Sequence, residues 1–229
     1  MQEGTIGRRE VIAGAGAMAF ASVLAGTGLS QGDGAKKIVA INGSPRKGMT
    51  TAAALGICLD AAAKQDPSLE TELIELADLS IPGQLAAGLA LREGEKDDFP
   101  EIAKKLRDPS VAGILIGSPV YFSNMTALCK AFLDRCISFR KEGFILRNKI
   151  AGMVAVGGAR NGGQEVTIQS IQAALACQDM ILVGTGKPSG RSGATLWSVD
   201  NSIEQDEFGR GLAADLGKRV AEAAALSVK

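Results

Sequence analysis

From Lys36 onward the chain alternates short apolar runs with longer mixed ones. The runs "KIVAI" (Lys37–Ile41), "VAGILIG" (Val111–Gly117), "KIAGMVAVG" (Lys149–Gly157) and "DMILVG" (Asp179–Gly184) are almost continuously apolar, as strands buried on both faces are. "ETELIEL" (Glu70–Leu76) alternates polar and apolar positions and reads as an outer strand. Between these runs, Thr50–Lys64, Phe99–Arg107, Met125–Phe139, Gly163–Cys177 and Ile203–Leu226 read as helices, with Pro100 suited to a first turn. Five strands, four of them buried on both faces, separated by helices predict an α/β domain with a doubly wound parallel sheet, built as a three-layer sandwich. No internal repeat is evident.

In such sheets ligands bind outside the carboxyl ends of the strands, at the switch point. Three loops fall there: "NGSPRKGMTT" after strand one, "SPVYFSNM" after strand three and "GGARNGGQE" after strand four. In the first, Gly43 and Gly48 have the spacing of a nucleotide P-loop, but Met49 stands where its lysine belongs. Arg46 and Lys47 lie within the loop instead. Ser44, Thr50 and Thr51 offer hydroxyls, and the following helix offers free N–H groups. That set suits a terminal phosphomonoester held without Mg²⁺. The plain alternative is a βα turn capped by Thr50.

The second loop runs Pro119, Val120, Tyr121, Phe122, Ser123, Asn124. Tyr121 is the only tyrosine, and Phe122 is beside it. Two rings at a ligand-facing loop suit a flat, partly apolar heterocycle; the alternative is that they cap the core. In the third loop Gly157, Gly158, Gly162 and Gly163 permit close backbone approach and Arg160 supplies a charge, or the loop is merely mobile. Phosphate at one end and a flat heterocycle at the other describe a mononucleotide. For this topology FMN is the natural candidate.

Composition narrows the chemistry. The 229 residues are 46% hydrophobic with formal net charge zero, enough for a real core and without the basic excess of a nucleic-acid binder. There is no histidine, which excludes Ser-His-Asp and Cys-His nucleophile systems and any histidine base. No side-chain acid or base is therefore expected to be catalytic. Cys58, Cys129, Cys136 and Cys177 form no C-x-x-C pair, so metal sites are not expected and buried free thiols are. Cys129 and Cys136 would lie about 10 Å apart along a helix, too far for a disulfide. Lys130 and Asp134 are spaced for a solvated or interfacial pair. Trp197 suits either a cover for the pocket or core packing.

Residues 1–35 differ in character. Paired Arg8 and Arg9 precede an uncharged Ala/Gly-rich run that ends at Asp33, the pattern of a twin-arginine export signal, with Ala19-Phe20-Ala21 or Val23-Leu24-Ala25 as cleavage sites. This predicts a domain of residues 36–229 exported in folded form to the periplasm, or tethered to the membrane by an uncleaved signal. So many Gly and Ala residues make a poor membrane span. "VIAGAGAMA" also imitates a dinucleotide fingerprint, but its helix would lack a polar face and no second strand intervenes before Asp33.

"GSPRKGMTT", "GSPVYFSNMTALCKAFLDR" and "GGARNGGQE" together resemble the NADPH-dependent FMN reductase family of flavodoxin-like proteins, and most of all its iron–sulfur flavoprotein and multimeric flavodoxin branch. The resemblance runs from about Lys36 to the C-terminus. It implies a flavodoxin-like sheet of order 2-1-3-4-5, non-covalent FMN, and homodimers or homotetramers. It places Ser44, Arg46, Thr50 and Thr51 on the FMN phosphate. Pro119 to Asn124 would line the isoalloxazine and ribityl, and the Gly158, Ala159, Arg160 and Gly163 loop would close the other side of the ring. Two departures stand out. Thr50 replaces a frequent asparagine and still donates a hydrogen bond. "LSIPGQLAAGLALREGEKDDFPEI" carries no cysteine where cluster-bearing members have a compact set, so no iron–sulfur cluster is expected. The implied activity is hydride transfer from NAD(P)H through FMN to a quinone, flavin or similar small acceptor. An export signal favours a rival, a flavodoxin-like electron carrier with a non-nicotinamide donor. A binding protein that has lost the flavin is a third reading.

Overall fold

The computed structural model describes residues 35–226; the export-signal reading concerns residues outside this range. The elements are β1 (Lys37–Asn42), α1 (Thr50–Gln65), β2 (Glu70–Glu75), α2 (Phe99–Leu106), β3 (Val111–Pro119), α3 (Ala127–Arg135), α4 (Ile137–Lys141), β4 (Ile150–Gly157), α5 (Gln164–Ala176), β5 (Ile181–Leu182), β6 (Ala194–Trp197) and α6 (Glu207–Leu226). The sheet is parallel, in the order β2-β1-β3-β4-β5, with β6 also paired to β4.

Alternation along each strand sends neighbouring side chains to opposite faces. Ile38 and Ala40 join Leu55, Cys58, Leu212 and Leu216, so α1 and α6 cover one face. Val39 and Ile41 join Phe99, Phe132, Phe139 and Ile171, so α2 to α5 cover the other. Both faces of β1, β3 and β4 are thus buried, which is why those strands are apolar throughout.

The expected fifth strand, Asp179–Gly184, is divided. Only Ile181 and Leu182 pair with the first residues of β4; the chain then leaves the sheet and returns as β6 beside Val154–Gly157. Thr185 closes the intervening loop: its N–H donates to Arg191 O at 2.9 Å, and its hydroxyl accepts from the Arg191 N–H and Ser189 Oγ at 2.8 Å each. The expected helix from Met125 to Phe139 is likewise two helices, broken at Cys136, and begins one residue after its N-cap Thr126, whose hydroxyl accepts from the Cys129 N–H at 3.0 Å. The last helix starts at Glu207 rather than Ile203. Asp206 accepts from the Gly209 N–H at 3.0 Å and so sets the boundary.

The cysteine-free stretch between β2 and α2 is fastened to α3. Arg135 makes two parallel bonds to Asp97, at 2.8 and 2.7 Å, with both side chains under 15% exposed and the guanidinium 4.6 Å from the Phe99 ring centroid. Bidentate geometry and partial burial make this pair stronger than a surface bridge. Arg135 also holds the Asp97 carboxyl below the usual carboxylate range. A depressed carboxyl contributes stability that is complete above its unfolded value and is lost as pH falls through the folded one. Asp97→Asn is therefore expected to lower stability by about 1–2 kcal/mol at pH 7 in urea unfolding. The gap from the parent protein should close progressively as the pH is taken below the ordinary carboxylate range.

Candidate functional site

The three loops converge on one edge of the sheet and are tied together there. Loop one begins at Gly43, whose N–H donates to Gly117 O at 2.7 Å. A Cβ on Gly43 would lie 2.5 Å from Cys129 Cβ, so only glycine lets α3 approach this closely. Thr126 then donates its hydroxyl to Gly43 O at 2.5 Å, joining loop one to loop two. At the end of β1, Asn42 accepts from the Ser44 N–H at 3.0 Å and donates to Glu75 at 2.6 Å. Glu75 in turn accepts from the Gly48 N–H at 3.1 Å. Asn42, Glu75 and Thr126 thus hold loop one in place. The first was legible only as a loop residue, and the other two lie far away in sequence.

Within loop one the candidate phosphate residues divide by role. The Ser44 hydroxyl bonds back to both N and O of Arg46 at 3.1 Å and shapes the turn. Thr50 and Thr51 are buried in the first turn of α1. Thr50 is not the cap: Met49 occupies the N-cap position and no side chain caps the helix. The first-turn N–H groups, with the positive end of the helix dipole, are therefore available to an anion. Lys47 pairs with Asp78 at the rim. Arg46 instead donates to Asn201 at 2.7 Å, which brings in a fourth loop, Ser198–Asp206, that sequence reading had not assigned to the site. Its "DN" turn dipeptide was the available signal: Asp200 and Asn201 both have positive φ, and Val199 and Ser202 bond on either side, a type I′ geometry.

Loop two makes a second turn of this type with different residues. Tyr121 and Asn124 exchange backbone bonds at 2.8 and 3.0 Å, and between them Phe122 and Ser123 have φ of 50° and 59°. The Val120 N–H donates to Val156 O at 2.9 Å, Pro119 ends β3, and Asn124 accepts from the Met125 N–H at 2.8 Å. Phe122 is fully exposed and Tyr121 is half-exposed, so neither ring caps the core. An aromatic residue held left-handed and open to solvent is strain placed where a ligand ring would lie. Phe122→Asn is expected to raise stability by about 1 kcal/mol in thermal unfolding while weakening the hold on any ring seated there.

Loop three meets loop two at Gly163, where φ is 98° and a Cβ would come within 2.8 Å of Ser123 Cα. Gly158 is open, with nothing within 4 Å of a Cβ position. Ala159 O accepts from the buried Gln164 amide at 2.7 Å. The Arg160 guanidinium lies 3.3 Å from Asp206 and 5.4 Å from the Trp197 ring centroid. Trp197 is thus a residue of β6, half-buried beside the third loop.

The arrangement is an edge with an uncapped helix N-terminus and two hydroxyls at one end, and two exposed rings facing a glycine-rich loop at the other. It fits the phosphate, polyol and tricyclic ring of a flavin mononucleotide. No histidine or cysteine lies in these loops. Lys130 and Asp134 form an exposed pair at 2.5 Å on α3.

Comparison with known proteins agrees with this geometry. Residues 36–194 match the family described as NADPH-dependent FMN reductase. An iron–sulfur flavoprotein of Methanocaldococcus jannaschii is 39% identical over 197 residues, covering 84% of this chain and all of that protein. An NAD(P)H dehydrogenase (quinone) of Chromohalobacter salexigens is 29% identical over 175 residues, covering 68% of this chain and 82% of that one. Among solved structures, RosB with bound 8-demethyl-8-formylriboflavin-5'-phosphate superposes with a TM-score of 0.65 at 16% identity, covering 84% of this chain and 80% of that one.

The residues do not fit an iron–sulfur cluster. Leu79–Ile102 contains no cysteine. Cys58, Cys129 and Cys136 are buried in apolar surroundings that push their thiols up, Cys129 to about 12, whereas cluster ligands must be thiolates. Cys177 is exposed and stands apart, so the buried-thiol expectation holds for three of the four. Among the described residues no group of three or more His, Cys, Asp or Glu is placed to hold a metal. With the three FMN-suited loops, the parallel sheet of order 2-1-3-4-5 and the family match over most of its length, the chain belongs to the NADPH-dependent FMN reductase family, whose flavodoxin-like fold and flavin-dependent oxidoreductase character it shares.

Proposed function

We propose that the protein is an FMN-dependent NAD(P)H oxidoreductase that delivers reducing equivalents to a quinone, flavin or similar small acceptor. The observation that carries this reading is the single edge at which the uncapped α1 N-terminus, the exposed Tyr121–Phe122 turn and the Gly158–Gly163 loop meet. Bound FMN supplies the redox chemistry. The chain's own residues bind and orient. The α1 N–H groups, Thr50, Thr51 and Arg46 hold the phosphate; Pro119 to Asn124 take one side of the ring system; Gly158 to Gly163 close the other. No side chain is assigned a proton-transfer role. The quinone-dehydrogenase relative supports a quinone as acceptor.

The paired Arg8–Arg9 favour a second reading, a flavodoxin-like electron carrier exported folded by the twin-arginine machinery, whose donor is not a nicotinamide. In either reading the exposed Phe122 and the Lys130–Asp134 pair suit contacts within a homodimer or homotetramer, and a tether through residues 1–35 would hold the protein at the membrane.

The deciding experiment is an absorbance spectrum of the purified protein loaded with FMN, before and after anaerobic NADPH. Flavin bands that bleach with NADPH establish the reductase. Bands that persist until dithionite is added establish the carrier. Failure to bind FMN overturns both.

A further inference from the structure

We propose that the pocket between α5, β6 and the start of α6 binds a planar aromatic anion, at a site separate from the three-loop edge. The pocket encloses about 470 Å³, enough for a two- or three-ring ligand. Arg160, Asn161 and Gln164 of loop three line it, no residue of loops one and two does, and Trp197 and Phe208 supply its aromatic surfaces. Phe208 is half-exposed on a helix that buries Leu212, Leu216 and Val220. Gly190 and Gly193 leave the opposite wall flat; a Cβ on Gly193 would strike Met153 O at 2.7 Å.

The ligand's sign follows from two groups that call for an acceptor, the Arg191 guanidinium and the buried Trp197 Nε1–H. Of the other lining charges, Arg160 is paired with buried Asp206, and Glu165 is the one lining carboxylate. Arg160 is already positioned over the Trp197 ring by buried Asp206. Arg191 is held through its backbone, with N and O both bonded to Thr185, while its side chain takes no ion pair among the described residues. A cation on a fixed backbone, in a pocket that a tryptophan also lines, suits an anion attached to a flat ring.

Two polar atoms on the same wall point to a missing partner independently of the charges. The Gln164 side chain is buried and its amide nitrogen is spent on Ala159 O and Leu196 O, yet its Oε1 has no partner. Trp197 Nε1 is likewise buried without an acceptor. Native interiors seldom leave such atoms unpaired, and both belong to residues lining this pocket. An acceptor on a bound anion would satisfy the Trp197 Nε1–H; Gln164 Oε1, itself an acceptor, calls for a donor.

This inference stands without the flavin reading, and its test keeps the two apart. Trp197 is the only tryptophan, so its emission reports on this pocket alone. The full chain is titrated with anthraquinone-2-sulfonate by calorimetry and by tryptophan emission, with and without saturating FMN. The expected result is saturable quenching that persists with FMN present, at least tenfold weaker binding in Arg191→Glu, and at least tenfold weaker binding of uncharged 2-(hydroxymethyl)anthraquinone. Should Arg191→Glu fail to fold by circular dichroism, Phe208→Ala and the uncharged probe carry the test, each with a similar loss expected. Absence of saturable quenching, equal affinity for the charged and uncharged probes, or displacement of the probe by FMN overturns the proposal. The last outcome would place the probe on the flavin loops instead.

Discussion

Gly217→Ala should destabilise the protein by about 2–3 kcal/mol and lower its melting temperature by roughly 5–10 °C. The reason is where α6 crosses α1. A Cβ on Gly217 would stand 2.0 Å from the carbonyl oxygen of Cys58 and 2.8 Å from its Cα. Those are backbone atoms and cannot rotate away, so the helices must separate. Val220, Leu216 and Leu212, on the same helix, would then lose contact with Leu55 and the sheet. The same substitution at Gly211, six residues earlier in α6, should act in the opposite direction. There a Cβ meets nothing within 4 Å, and alanine gains roughly 0.5–1 kcal/mol of helix propensity. Thermal unfolding of the two variants side by side checks the sign as well as the size. If FMN's phosphate rests on the first-turn N–H groups of α1, as proposed, Gly217→Ala should also weaken FMN, while Gly211→Ala should leave its affinity unchanged.

Arg46→Glu should weaken FMN about hundredfold, the equivalent of ~2.7 kcal/mol. Arg46 bonds to the neutral Asn201 and makes no ion pair among the described residues, so its charge is left for the proposed phosphate; Lys47, its neighbour, is paired with Asp78 at the rim. Lys47→Ala should therefore change the affinity by no more than about threefold, as removal of an exposed pair does. Titration of FMN fluorescence against each variant reads both numbers. The loss from Arg46→Glu should shrink at 1 M salt, where exposed charges are screened beyond about 3 Å. Equal losses at the two positions would mean that the loop's general field, rather than the placement of Arg46, holds the phosphate.

The two residues differ in how far each was legible. Both appear in the sequence as cations in a glycine-bounded loop, and nothing in "SPRKG" says which one is left without an ion pair. That choice depends on Asp78, just after β2, and on Asn201, 155 residues away. Arg160 is a similar case. Its loop was marked by four glycines, but its direction is set by Asp206, a residue that reads from sequence only as part of a helix. Phe122 shows the reverse. Its aromatic character marked loop two as ligand-facing, yet "FS" carries no signal for a turn that needs positive φ at both positions, whereas "DN" at Asp200–Asn201 does.

By itself the sequence determined the layers and the edge. Continuous apolar runs can be satisfied only by burial on both faces, and that requirement makes a parallel sheet with helices on either side. The glycine- and hydroxyl-rich segments then fall at the carboxyl ends of β1, β3 and β4 because those are the points where the strands stop. Tertiary structure alone decided the division of the fifth strand, since four residues such as Ala194–Trp197 are too few for a periodicity to register and pair only because β4 offers them an open edge. It alone placed Asn42, Glu75 and Thr126 as the anchors of loop one, and Gly43, Gly163 and Gly217 at points of closest approach. Hydrogen bonds and close contacts between residues distant in sequence leave no local pattern; they exist only once the chain has brought both partners together.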